Sequence, residues 1–131
     1  MKKVFSILSL FVLLVVSGCS CSKPGEYEFD SIIIVEGNDE TVYKCTKKEK
    51  EDALVAAACI SYEYTSIELT DDGKAITKID GNKTGEVFYK IENGKYYTRT
   101  SETADYGDPI GTWKLGKLTI NIGGNKLVFK K

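Results

Sequence analysis

After Ser61 the chain is punctuated by turn signals at short intervals, and these constrain its fold more tightly than any other feature. The strongest is Asn93-Gly94, which between alternating residues specifies a two-residue type I′ hairpin loop. It sets Glu92 opposite Lys95, Ile91 opposite Tyr96 and Tyr89 opposite Thr98. Asp71-Asp72-Gly73 suits a three-residue loop with glycine in the left-handed position. That loop aligns Leu69 with Ala75, Ile67 with Thr77 and Thr65 with Ile79. Gly116-Lys117 reads as a type II′ turn pairing Leu115 with Leu118, Trp113 with Ile120 and Gly111 with Ile122. The neighbouring choice, a turn at Leu115-Gly116, would set Lys114 against Lys117, a like-charge pair. Gly124-Asn125 then places Ile122 against Leu127 and Ile120 against Phe129.

Each hairpin carries one mostly apolar face and one mostly polar face. Upstream, Tyr27, Phe29, Ser31, Ile33 and Val35 alternate with their neighbours in the period of a long strand. Eight main strands joined by short connections favour up-and-down antiparallel order, and a sheet that is apolar on one side must close or be covered. The expected fold is therefore mainly β: an eight-stranded antiparallel meander closed into a small barrel, with one helix between the first and second main strands. For that helix, Thr46-Lys47-Lys48-Glu49 fits a capping box, giving a helix from about Lys47 to Cys59. Its second half, Ala53 to Cys59, is apolar all round and must be buried, most simply across an open end of the barrel.

The inward positions are then Tyr27, Phe29, Ile33, Thr65, Ile67, Leu69, Thr77, Ile79, Tyr89, Ile91, Tyr96, Thr98, Trp113, Ile120 and Phe129. Side chains this large are able to fill a small barrel, yet buried threonine hydroxyls need partners or water. Two readings stand side by side. In one, a partly hydrated pocket away from the hairpin loops takes a small apolar or amphipathic ligand. In the other, a solid barrel meets a protein partner through its loops or through Tyr62, Tyr64, Phe88 and Tyr97 on outer faces.

The first residues carry a different message. Met1-Lys2-Lys3 precedes an uncharged run from Val4 to Val16, the basic and apolar regions of an export signal, well short of the roughly 20 residues that span a bilayer. The run ends in Val16-Ser17-Gly18-Cys19, which resembles the lipobox of bacterial lipoproteins. The resemblance implies a diacylglyceryl group on the Cys19 sulfur, cleavage between Gly18 and Cys19, and often a third acyl chain on the freed amine. Two or more acyl chains hold a protein durably on a membrane. Residues 1–18 are thus expected to be a signal peptide, 19–25 a lipidated tether and 26–131 the domain. The location implied is the cell envelope: the outer leaflet of the plasma membrane, or the outer membrane where there is one, since Ser20 is not an aspartate.

Composition narrows the chemistry. After the signal about 113 residues remain, enough for one modest core. The chain has 18 basic and 19 acidic residues and no histidine. The commonest acid-base group and the commonest metal ligand are both missing. No metal or cofactor is expected. No run of basic residues stands out along the sequence, so neither nucleic acid nor anionic headgroups are expected partners; the membrane contact is through the acyl chains on Cys19. The carboxylate pairs Asp71-Asp72 and Asp105 with Asp108 lie in polar turns, and the longest irregular loop, Ser101 to Pro109, pairs no nucleophile with a base. An enzyme is not expected.

Setting Cys19 aside leaves Cys21, Cys45 and Cys59. A Cys45–Cys59 bridge would close a loop of about 14 residues, worth roughly 3 kcal/mol. An unbroken helix over those residues would hold the two backbones roughly 20 Å apart, where a bridge needs under about 7 Å. Either the helix is shorter and the chain doubles back, or no bridge forms.

Gly25-Glu26-Tyr27, Leu69-Thr70-Asp71-Asp72-Gly73-Lys74, Lys117-Leu118-Thr119-Ile120 and the ending Leu127-Val128-Phe129-Lys130-Lys131 together resemble the small lipocalin-like lipoproteins of bacteria. The resemblance covers most of the domain and implies a lipocalin-like barrel. Gly111-Thr112-Trp113 matches the Gly-x-Trp of lipocalins but sits near the C-terminus instead of the first strand, so its role is not carried over. A helix between the first and second strands is closer to the order in fatty-acid-binding proteins.

Overall fold

The first strand already breaks the simple alternation, and that break shapes the barrel. In the computed structural model, which describes residues 23–131, β1 runs Gly25–Glu36. Phe29 pairs with Phe129, but the next partners are Ser31 and Val128, so Asp30 is an extra residue in a β-bulge. A bulge shifts every later residue to the opposite face. Tyr27 and Phe29 point inward before it; Ile32 and Ile34 do so after it and join the core. Ile33, expected inside, is thereby turned away and only partly buried.

The remaining strands are β2 (Asp39–Tyr43), β3 (Thr65–Leu69), β4 (Lys74–Ile79), β5 (Asn82–Glu92), β6 (Lys95–Arg99), β7 (Gly111–Lys114), β8 (Lys117–Ile122) and β9 (Asn125–Lys130). From β3 to β9 each pairs antiparallel with the next. One edge of β1 takes β3 and then β2, while its other edge takes β9 and closes the ring. The result is a closed eight-stranded antiparallel barrel with β2 as a ninth, flanking strand, and with the helix between β1 and β3 in chain order as expected.

Two hairpins have the expected registers: Leu69 faces Ala75 across β3–β4, and Ile91 faces Tyr96 across β5–β6. Two differ. The β7–β8 turn is Leu115-Gly116, both with positive φ (47° and 80°), and Lys114 does face Lys117. Both lysines are exposed, where water screens their repulsion to a small cost. In return Leu118 sits between Trp113 and Phe129 and is fully buried. The β8–β9 turn is Gly123-Gly124, again with two positive φ angles, freeing Asn125 to pair with Ile122 and to accept a hydrogen bond at Oδ1 from the Val35 amide (3.0 Å). Both corrections move the pairing by two residues, so neither changes which side chains face inward.

The helix is shorter than expected. Thr46 Oγ1 accepts from the Glu49 amide as a cap should, and Glu49 accepts from the Lys44 amide, but only a 3-10 turn follows (Glu49–Glu51). Asp52 then adopts an extended backbone and begins afresh: its Oδ1 accepts from Leu54 N (2.9 Å) and Val55 N (3.2 Å), capping α1 (Ala53–Tyr62). A second cap inside one charged stretch bends the chain back on itself. The bend brings Cys45 to Cys59 with a Cα separation of 5.8 Å, and the two are disulfide-bonded. No helix among the described residues is long and apolar enough to cross a membrane.

Candidate functional site

The barrel has two unlike ends. At the near end lie Lys23, the start of β1, the β3–β4, β5–β6 and β7–β8 turns and Lys131, whose amide donates to Gly116 O (2.9 Å). At the far end lie the β4–β5 and β8–β9 turns and α1, which packs Ala58 and Tyr62 against the barrel core.

Toward the near end the interior is filled. Tyr27, Leu69, Ala75, Tyr96, Leu118 and Phe129 are each 2 % exposed or less. Two of the phenols here are paired: Tyr27 donates to Lys23 O (2.6 Å) and accepts from Trp113 Nε1 (2.8 Å), and Tyr89 donates to Thr70 O (3.0 Å). Burial pushes the Tyr27, Tyr89 and Tyr96 phenols above their ordinary range; the Trp113 hydrogen bond partly offsets this at Tyr27, and neighbouring Tyr89 adds to it at Tyr96. Phe29 meets Phe129 edge to face at 5.8 Å.

Toward the far end the packing opens. Thr77, Val87 and Thr98 occupy inward register positions yet are only partly buried, and Ile79, expected inside, stands on the rim at 46 % exposure. Gly85 faces Thr77 across β4–β5, and a methyl group placed on it would meet no described atom within 4 Å. Of the inward set, then, Tyr27, Phe29, Ile67, Leu69, Tyr89, Ile91, Tyr96, Trp113, Ile120 and Phe129 form or adjoin the core. Thr65 is buried, and Thr77 and Thr98 sit higher on the wall. The arrangement is a cup with an aromatic floor and a mixed wall of hydroxyls and aliphatic groups. A cleft of about 220 Å³ lies beside α1, lined in part by Ile32, Ala58, Tyr62, Ile122 and Leu127.

The aromatic residues expected on outer faces divide. Tyr64 is exposed, whereas Tyr62 packs onto the core. Phe88 and Tyr97 belong to a cationic-aromatic stack that pins the Ser101–Pro109 loop to the wall. The Arg99 guanidinium lies 4.5 Å from the Tyr106 ring and 5.9 Å from Phe88, and its Nη1 donates to Ala104 O (3.2 Å). Lys90 sits 4.9 Å from Tyr97 and 4.8 Å from Tyr106. Asp72 is engaged in its own turn: Thr70 Oγ1 donates to it, which holds its carboxyl below the usual range.

Sequence reasoning missed a lysine rim at the near end, where Lys114, Lys117, Lys130 and Lys131 surround a cleft with Leu115 at its tip. These residues lie apart in the chain and become neighbours only through the β7–β8–β9 register. The expected signal peptide, with Gly18, Cys19 and Cys21, lies outside the described residues.

No protein-family model matches the chain, and searches of curated proteins and of solved structures return no match.

Proposed function

We propose that this chain is a lipid-anchored lipoprotein of the cell envelope whose barrel takes a small apolar or amphipathic ligand at its far end. The anchor rests on the basic, apolar and lipobox succession ending at Cys19. The ligand reading rests on one observation: a methyl group on inward-facing Gly85 would meet open space, next to the partly buried hydroxyl of Thr77 across β4–β5. Such a cup suits a ligand with an apolar body and one or two hydrogen-bonding groups, the usual composition of small-molecule sites. It needs neither acid-base catalysis nor a metal. The acyl anchor keeps the near end toward the lipid and leaves the mouth facing away from it.

The test is titration of the full chain with an environment-sensitive fluorescent fatty acid and with single-chain amphiphiles as competitors. Binding should saturate, and Gly85→Leu should abolish it while leaving thermal stability intact, because the added side chain enters open space. Silence across the panel, or unchanged affinity in Gly85→Leu, would overturn the ligand reading. Mass spectrometry of the N-terminal peptide tests the anchor separately: an unacylated Cys19 would end that part.

A second reading is favoured by a different observation. Leu54 and Ile60 on α1 and Tyr64 just after it are 53 %, 85 % and 68 % exposed at the same end. Exposed apolar side chains of that size suit a protein partner. Under this reading no fatty acid binds, Ile60→Glu abolishes co-purification of the partner from envelope extracts, and Gly85→Leu leaves that co-purification intact.

A further inference from the structure

We infer that the near end of the barrel is a membrane-docking surface that recognises anionic lipid headgroups, on the membrane that carries the Cys19 anchor. The inference rests on the lipoprotein reading for its choice of membrane, and its geometry is independent of it. From Pro109 to Lys131 the chain has five lysines and no acidic residue, although the whole chain carries a net charge of −1. The β7–β8–β9 register sets Lys114 opposite Lys117 and Lys117 opposite Lys130, forming one lateral row across three strands. Lys131 completes the lining of the cleft beside the Leu115-Gly116 turn, whose volume is about 630 Å³ and whose only ionisable side chains are those four lysines. Among the described residues, Lys130 of this row is bridged to Asp30 at 3.6 Å, and its side chain is still half exposed. Glu28 lies directly opposite Lys130 across β1–β9 and bounds the row on that side; Glu26 and Glu68 lie beyond it and share Lys78, while Asp71, Asp72 and Glu92 belong to the β3–β4 turn and the end of β5, Glu92 being also 3.7 Å from Lys90.

The second observation is Leu115. It projects from the tip of the turn at 70 % exposure, with a φ of +47°. A leucine is disfavoured there twice, by its left-handed backbone and by its contact with water. The other type I′ turn at this end, Asn93-Gly94, holds the residue such turns prefer. An apolar tip ringed by lysines matches the interface of an anionic bilayer, where cations meet headgroups and the apolar side chain enters the acyl boundary.

The third observation is where the chain emerges. Lys23 lies beside β7, its Nζ 5.8 Å from the Trp113 ring. It is four positions after Cys19, a reach of at most about 14 Å. Docking is thus nearly intramolecular for a lipidated chain, and weak individual contacts suffice.

Trp113 is the only tryptophan and leads directly into the Leu115 turn, so it reports on the contact. The full chain is reconstituted into vesicles of phosphatidylcholine alone or mixed with phosphatidylglycerol, each doped with a spin-labelled quencher lipid. Stronger Trp113 quenching is expected on the anionic vesicles, declining as salt is raised. Each lysine lost should lower the docked-to-undocked ratio about fivefold, so Lys114→Gln with Lys117→Gln lowers it about 25-fold. Leu115→Asn should lower it roughly tenfold while the fold is retained or strengthened, which a merely structural leucine would not do. Equal quenching on both vesicle types overturns the docking surface whether or not Cys19 is acylated. Quenching specific to anionic vesicles from a chain shown by mass spectrometry to be unacylated would support the surface and remove the anchor.

Discussion

Replacing Gly111 by alanine is the sharpest perturbation of the barrel. Gly111 is buried at the start of β7, facing Ile120. A methyl group there would lie 3.0 Å from the Thr119 carbonyl carbon and 3.1 Å from Ile120 Cα, with the Thr119 carbonyl oxygen closer still. Ordinary carbon-to-oxygen approaches between strands are about 3.3–3.6 Å. The obstacle is backbone, so no rotamer relieves it; β8 is held on its other side by β9, and on this side the Asn121 amide donates to Ile110 O (2.8 Å). In a closed ring β8 can retreat only by disturbing its next neighbour. Overpacking usually costs 1–3 kcal/mol, and this site belongs at about 3 kcal/mol or above. At about 4 °C per kcal/mol for a domain of this size, the melting temperature falls by roughly 12 °C or more. The control is Gly85→Ala, whose methyl meets open space without a positive φ. It should be neutral or stabilising by about 0.5 kcal/mol, through the smaller freedom of the unfolded chain. Urea and thermal unfolding followed by circular dichroism and Trp113 fluorescence measure both. A Gly111→Ala protein within about 0.5 kcal/mol of the parent would refute the close-approach argument.

Three further outcomes are expected. Reducing the Cys45–Cys59 bridge, or replacing both cysteines by serine, should cost about 3 kcal/mol in urea unfolding and raise hydrogen exchange in α1 before the barrel; an unchanged midpoint would mean the bend forms without the bond. Asp52→Ala removes the carboxylate that caps α1 and should cost about 1 kcal/mol, whereas Thr46→Ala, which caps only a 3-10 turn, should cost less. Stability should be flat from neutrality up to a pH of about 10 and then fall, because the buried Tyr27, Tyr89 and Tyr96 phenols stay protonated in the folded state while those of the unfolded chain ionise. Each contributes up to about 1.4 kcal/mol per pH unit between the unfolded and folded values, and Tyr96→Phe should flatten the slope.

What the sequence alone determined is whatever local chemistry decides. The antiparallel barrel, the order of its strands and most inward-facing residues follow from alternation and from glycine-bearing turns. Those features act over a few residues and tolerate an error of two in register without changing face. Tertiary structure decided the rest. The bulge at Asp30 that turns Ile33 out and Ile34 in exists because β1 must pair with β9 on one edge and with β3 and β2 on the other. The left-handed Leu115 follows from placing Leu118 between Trp113 and Phe129, a demand made by residues far along the chain. The capping box at Thr46 was legible in the sequence, but that the full helix starts instead at Asp52 depends on folding Cys59 back to Cys45 and packing Ala58 and Tyr62 on the barrel. The cup and the lysine rim are likewise properties of closure: only when the strands ring a common axis do Thr77, Gly85 and Thr98 face one space, and lysines from three strands one surface.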